Sequence, residues 1–352
     1  MTRFVPLTVA AVERTTRDAV VVTFEDAPGF GHVQGQYLTF RRDFDGTEIR
    51  RSYSISSGVG EPLQVGIKRV DGGAFSTWAN EALAPGDVLE AMPPMGRFHT
   101  AIAPDAERHY LLVAAGSGIT PILSIARTVL ELEPRSWVTI LYANRAVSQI
   151  MFMAELDDLK ARHLSRLAVV HVLKQDAQDI PLFTGRIDAE KRDALFEGWI
   201  AVDTVDMAFI CGPEGLMETV AESLRKHGLP EDAIRFELFA AAQAGRLPQA
   251  ARGVAADAKP TEVVVRIDGG SHAFTMDRDQ SLLDAACENA IDAPFACRAG
   301  VCSTCMCRVV EGEVEMVQNH ALEDYEVARG YVLSCQSYPL TERVVVEYDT
   351  GH

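Results

Sequence analysis

With 352 residues, 47% of them apolar and 24% charged, the chain has the composition of a folded globular protein and the length for two or three domains. Fifty acidic against 33 basic residues leave a formal charge of −17, which repels phosphate backbones and anionic lipid alike, so neither nucleic acid nor membrane is an expected partner. No run approaches the roughly 20 apolar residues of a membrane span, and residues 1–16 lack a signal-peptide hydrophobic stretch, which points to the cytoplasm.

Short β-branched runs at 7–12, 19–24, 37–40, 52–55 and 63–70, broken by Gly, Asp and Pro turns, predict an antiparallel β-barrel or sandwich over residues 1–104. Over 105–239 the pattern changes to strands at 110–115, 137–142, 167–173, 207–211 and 234–239. They alternate with helices at 121–133, 154–162 and 214–226, the signature of a doubly wound α/β domain. Residues 240–260 are rich in Ala, Gly, Pro and Gln and hold no aromatic residue, a composition suited to a linker. The remainder, 261–352, carries 16 Asp or Glu against six Arg and no Lys, so it forms an acidic unit of its own. Within it a hairpin is expected from strands 262–267 and 272–275 about Gly269-Gly270, then a helix over 281–290. No internal repeat is evident.

Five of the seven cysteines fall in that acidic unit beyond residue 290, and crowding of this kind in a long chain points to metal rather than disulfides. Cys297, Cys302 and Cys305 are spaced C-x4-C-x2-C, and Cys335 follows 29 residues later, the spacing of a plant-type [2Fe–2S] site. Four thiolates must converge on two irons, and the small residues Ala296, Ala299, Gly300 and Ser303 let the loop fold close, with backbone N–H groups aimed at sulfur. A structural zinc is the alternative, although zinc ribbons bring two short C-x2-C pairs and one is present here. Cys287 and Cys307 lie outside the spacing and are expected to be ordinary buried cysteines.

Cys-Arg-Ala-Gly-Val-Cys-Ser-Thr-Cys-Met-Cys and Gly-Tyr-Val-Leu-Ser-Cys-Gln make residues 261–352 resemble a plant-type ferredoxin, which implies an α+β, β-grasp-like fold. The preceding part resembles a ferredoxin–NADP reductase module. Together the whole chain is similar to reductase components of bacterial multicomponent oxygenases, most of all to those serving phenylacetyl-CoA epoxidases, with ketosteroid-hydroxylase reductases as close relatives. The resemblance implies an enzyme that passes electrons from a nicotinamide nucleotide through FAD and a [2Fe–2S] cluster to an oxygenase component. A di-iron ring oxygenase is the expected partner, with a Rieske or ketosteroid oxygenase as the alternative. A redox sensor, a passive electron carrier and a stand-alone flavin or quinone reductase are the other readings.

The same resemblance assigns roles along the chain. In Arg51-Ser52-Tyr53-Ser54 it gives Tyr53 the face of the isoalloxazine, Ser54 a hydrogen bond near the flavin N5, and Arg51 the pyrophosphate. A bland alternative is a strand with Tyr53 inward and Ser54 outward. Gly73, Ser76 and Thr77, at the start of a helix expected over 75–82, are assigned to the FAD diphosphate, with Lys68 as added charge; FMN is the competing flavin. Gly116-Ser117-Gly118-Ile119-Thr120-Pro121 follows a strand and opens a helix, with Thr120 expected to cap it, Pro121 in first position, and Gly116 and Gly118 leaving room for the nucleotide. Cys211, Gly212 and Pro213 are placed beside the nicotinamide, Cys211 nearest its hydride-bearing carbon, and Phe239 against the flavin. Arg145, with no acid adjacent in sequence, favours NADPH, with NADH possible.

Overall fold

A computed structural model describes residues 4–176, 179–239, 260–322 and 324–348; residues 240–259 of the expected linker lie outside them. The larger of two units is built from Phe4–Ile49 and Tyr53–Phe239, and Arg50–Ser52 with the C-terminal residues make the second. Among the described residues no helix is long and apolar enough to cross a membrane.

Six strands open the chain: β1 Val5–Thr16, β2 Ala19–Phe24, β3 Tyr37–Phe44, β4 Thr47–Ser54, β5 Gln64–Lys68 and β6 Val88–Ala91, with helix α1 Ala74–Glu81 between β5 and β6. They lie in the order β4-β3-β6-β1-β2-β5. A bridge from Ile55 to Val65, with Ser56 N–H donating to Gln64 O at 2.8 Å, joins the two edge strands and closes the barrel. Strand β2 is apolar except for Thr23, because both its faces are covered. Val20, Val22 and Phe24 enter the barrel core, while Ala19 and Val21 alternate into the core of the next domain. Strand β6 was not expected from sequence: four residues with only Leu89 and Ala91 inward are too short a pattern to stand out.

Next come β7 His109–Ala115, α2 Ile119–Leu132, β8 Trp137–Asn144, α3 Met153–Arg162 and β9 Leu167–Leu173, then α4 Ala189–Gly198, β10 Met207–Gly212, α5 Glu214–Lys226 and β11 Ile234–Leu238. The strands are all parallel in the order β11-β10-β7-β8-β9. Strand order reverses between β7 and β10, and the carboxyl ends flanking such a switch point form the usual ligand crevice of an open α/β sheet. Helix α4 was also not expected from sequence. It buries Leu195, Phe196 and Arg192 and is started by Asp188, whose carboxylate accepts from Lys191 N–H at 2.9 Å.

The C-terminal unit contains β12 Thr261–Ile267, β13 Gly270–Met276, α6 Leu282–Glu288, β14 Met306–Glu311, β15 Val314–Met316, α7 Asp324–Val327, β16 Tyr331–Leu333, β17 Ser337–Pro339 and β18 Arg343–Glu347. Its mixed sheet runs β13-β12-β18-β14-β16, with β12 parallel to β18, and β15 pairs with β17. The hairpin turn falls on Asp268 and Gly269, both at positive φ, one residue earlier than expected, because Ile267 pairs with Gly270 across a two-residue loop. Ser281 caps α6, its hydroxyl accepting from Asp284 N–H at 3.1 Å.

Candidate functional site

At the carboxyl end of β7 the chain makes a 3-10 turn through Gly116–Gly118 before α2. Gly116 has φ +54 and open space where a side chain would stand, whereas a Cβ on Gly118 would lie 2.2 Å from Cys211 O. Only glycine permits that approach of the turn to β10. Thr120 does not cap the helix as expected. Helix α2 begins at Ile119 with Gly118 as its cap, and the Thr120 hydroxyl, inside the first turn, donates to Ser117 O at 3.0 Å. Pro121 is accordingly third in the helix rather than first, still among the positions whose N–H has no helical partner. No side chain caps this end of α2, and no acidic residue lies in its first turn, which leaves N–H groups for an anion.

Across the switch point, Cys211 is in register with Ala114 of β7 and Glu237 of β11. Glu237 in turn accepts a hydrogen bond from the Ser54 hydroxyl at 3.0 Å, joining the last strand of the α/β domain to the end of β4 in the barrel. Burial pushes the Glu237 carboxyl up to about 8 against the opposing pull of that hydrogen bond. The residue as a whole keeps partial exposure, so the carboxyl is desolvated yet close to the surface. Burial, and then the nearness of Glu237, raises the Cys211 thiol well above its ordinary range, so it stays a neutral thiol. Gly212 packs on Ala115, and Pro213 caps α5.

Glu237 was missed in the sequence, where Phe239 of the same run drew the attention. Alternation puts Glu237 on the same face as Phe239 and opposite Phe236, and the structure has Phe236 exposed and Phe239 packed against the α/β core. The available signal was an acid on the same strand face as Phe239.

The barrel residues divide. Ser54 is buried and Tyr53 partly exposed, the reverse of the bland strand reading, because the Tyr53 ring rests on Phe75 at 5.6 Å and Phe40 at 6.3 Å beside the barrel core. Gly73 caps α1 with no side-chain hydrogen bond, and Thr77 lies partly exposed in the first turn. The Ser76 hydroxyl is engaged within its own turn, accepting from Val70 N–H at 3.1 Å and donating to Gly73 O at 3.3 Å. Lys68 stands 3.9 Å from the Asp18 carboxylate, and Arg51 donates to Arg50 O at 2.7 Å. An aromatic shelf, a buried hydroxyl and an uncapped helix end together fit the ring and diphosphate of a flavin dinucleotide.

Near the predicted ribose site the structure adds a carboxylate that the sequence reading did not consider. Arg145 has no acid adjacent in sequence, but Asp176 comes from beyond β9 and accepts from Val147 N–H at 2.6 Å, two residues from Arg145. The backbones of 144–145 and 174–175 run side by side there, with Lys174 N–H on Asn144 O at 2.9 Å.

In the C-terminal unit the four spaced cysteines come together as two pairs: Cys297 with Cys302, and Cys305 with Cys335. None of the seven cysteines is in a disulfide. The hydrogen bond from Cys302, followed by N–H groups of Ala299, Val301 and Cys302, holds Cys297 down to about 6, and Cys335 is lowered chiefly by Cys305. Ala299 N–H lies 3.3 Å from Cys297 Sγ. Among the described residues no three His, Cys, Asp or Glu side chains converge on a single ion position. Two thiol pairs suit two irons, each taking two thiolates, better than one tetrahedral zinc with four. Cys307, a residue of β14, is buried, as expected, while Cys287 is only half-buried, since α6 turns it toward the edge where Arg298 Nη2 lies 3.8 Å from its sulfur.

Comparison with known proteins agrees with this geometry. Residues 6–100 match the family described as oxidoreductase FAD-binding domain, 112–222 the oxidoreductase NAD-binding domain, and 265–340 the 2Fe-2S iron-sulfur cluster binding domain. The chain is 42% identical to a component of the 1,2-phenylacetyl-CoA epoxidase of Escherichia coli (strain K12), covering 99% of each chain. It is 33% identical to the ferredoxin reductase component of 3-ketosteroid-9-alpha-monooxygenase from Rhodococcus rhodochrous, over 98% of this chain and 97% of that one. The solved structure of phthalate dioxygenase reductase shares the fold, with a TM-score of 0.57 at 23% identity over 98% of both chains.

Proposed function

Given that this chain belongs to the family of FAD- and [2Fe–2S]-containing reductase components of multicomponent oxygenases, we propose that it carries electrons from NADPH to a di-iron oxygenase acting on an aromatic-ring CoA thioester such as phenylacetyl-CoA. The observation that carries the choice of partner is the full-length 42% identity to the epoxidase component, against 33% for the ketosteroid relative. We place the domain boundaries at 104/105, 239/240 and 260/261.

When bound, FAD supplies the conversion of a hydride's electron pair into single electrons, which the [2Fe–2S] cluster then handles one at a time. This chain's own residues bind, orient and hold protons. Arg51, Gly73 and Thr77 would hold the diphosphate, and Tyr53 would cover the ring; Ser76 shapes their turn through its internal hydrogen bonds. Gly116, Gly118, Thr120, Pro121, Gly212 and Pro213 shape the nucleotide crevice, with Cys211 at its floor. Protonated at neutral pH, Glu237 holds a proton next to the Ser54 hydroxyl, whose hydrogen bond connects it to the flavin face of the barrel. Cys297, Cys302, Cys305 and Cys335 would hold the irons.

Reconstitution tests the reading. The chain is mixed with NADPH and the oxygenase of a phenylacetyl-CoA epoxidase, and in parallel with a ketosteroid oxygenase, and product is measured. Epoxide formed with the first alone is the expected result; turnover with the second alone would reassign the partner. In Cys302→Ser, product should vanish while NADPH oxidation by ferricyanide continues.

A further inference from the structure

Gln336 follows the distal cysteine directly and ends the 3-10 turn Ser334–Gln336, where it is buried. Its side-chain amide nitrogen lies 3.1 Å from Arg298 O and 3.6 Å from Cys335 Sγ. A backbone carbonyl only accepts, so the group facing Arg298 must be the NH2, and its second hydrogen is left for the sulfur. The fit is built into the loop. Gly300, at φ +74, passes so close that a Cβ there would lie 3.1 Å from Gln336 Cγ and 3.0 Å from Gln318 O. A side chain at 300 would push the amide away.

We propose that Gln336 is a positioning residue for the cluster, clasping the distal ligand Cys335 to the loop that carries the other three and raising the reduction potential through its N–H···S hydrogen bond. The inference rests on the four cysteines holding a [2Fe–2S] cluster. Reduction adds negative charge that spreads onto the cysteine sulfurs, so a donor at Cys335 stabilises the reduced form more than the oxidised one. The N–H groups of Ala299 and Gly300 serve Cys297 and Cys335 from the backbone, which substitution alters little. Gln336 supplies its donor from a side chain, so the sequence at this position can set how readily the cluster takes an electron.

Gln336→Met keeps the length of the side chain and removes its N–H groups. Iron and acid-labile sulfide in the wild-type chain are measured first, and their absence would remove the cluster reading itself. With cluster present in both proteins, anaerobic redox titration followed by the EPR signal of the reduced cluster should show the variant about tenfold less reduced at a given poise, about 59 mV lower for one electron. A fully loaded Gln336→Met with the wild-type potential overturns the proposal. Should the variant lose its cluster, the Gln318→Met protein labelled with 15N in its glutamine side chains decides the matter. Pulsed EPR of its reduced cluster should detect a side-chain 15N coupling, and no coupling overturns the proposal.

Discussion

Glu133 and Glu237 stand at opposite ends of the same parallel sheet and are served very differently. Glu133, fully buried just past α2, accepts from Ser136 Oγ at 2.7 Å, Tyr110 Oη at 3.0 Å and Ala103 N–H at 3.0 Å, and lies 3.7 Å from Arg108 Nη1. Those partners come from the segment leading out of the barrel and from the starts of β7 and β8, so one carboxylate ties three pieces of chain together. Glu237, at the carboxyl end, has the Ser54 hydroxyl as its one donor among the described residues. Polar groups at the amino end are spent on holding the fold. At the carboxyl end a carboxyl is left short of partners, and its affinity for protons rises accordingly.

Removing the well-served carboxylate should have the largest effect. Glu133→Ala leaves two hydroxyls and an N–H without this acceptor and Arg108 without its ion-pair partner, and should lower unfolding free energy by about 3 kcal/mol. Denaturant unfolding measures this, and the ferricyanide rate per folded molecule should stay near wild type. A variant as stable as wild type, or one that folds well but cannot oxidise NADPH, would break the division between the two ends.

Glu237→Gln should do the opposite. Loss of the proton-holding carboxyl should slow NADPH-to-ferricyanide turnover by roughly 100-fold, in the range of a lost acid–base group. Its effect on stability has a pH signature. Between the ordinary value of 4.5 and the native value of about 8, the folded chain keeps a proton on Glu237 that the unfolded chain has released. Wild-type stability is therefore lost as pH rises through that window, and Gln lacks the loss. The stability of Glu237→Gln relative to wild type should climb from pH 5 to pH 8 by up to a few kcal/mol, and a flat difference would show that Glu237 titrates normally.

The contrast also explains what could be read from sequence. The cysteine spacing, the glycine turn after β7 and the alternating strands are local patterns, and the fold and both cofactor domains follow from them. Pairings between distant segments leave no such trace: Ser54 meets Glu237 across 183 positions, and Asp176, past the end of β9, reaches Val147. Helix α4 escaped because its apolar face is reduced to Leu195 and Phe196. Thr120 was misplaced because the 3-10 turn lets α2 start on a bare glycine, where sequence rules look for a hydroxyl cap.

A third carboxylate sharpens the comparison at the chemical end. Asp176 accepts only Val147 N–H among the described residues, and it stands across the strand ends from exposed Arg145. Two opposite charges therefore flank the place where a ribose 2′ group is expected, the arginine favouring a 2′-phosphate and the acid a 2′-hydroxyl. Arg145→Glu should cut kcat/KM for NADPH about tenfold more than for NADH, since it leaves like charge on both sides of the phosphate. Asp176→Asn keeps an acceptor for Val147 and removes the charge, so it should move the ratio the other way by a smaller factor, because an exposed charge is screened by salt. Raising ionic strength should shrink both shifts. If the two substitutions move the ratio in the same direction, neither residue reads the 2′ position, and the nucleotide preference is set elsewhere in the crevice.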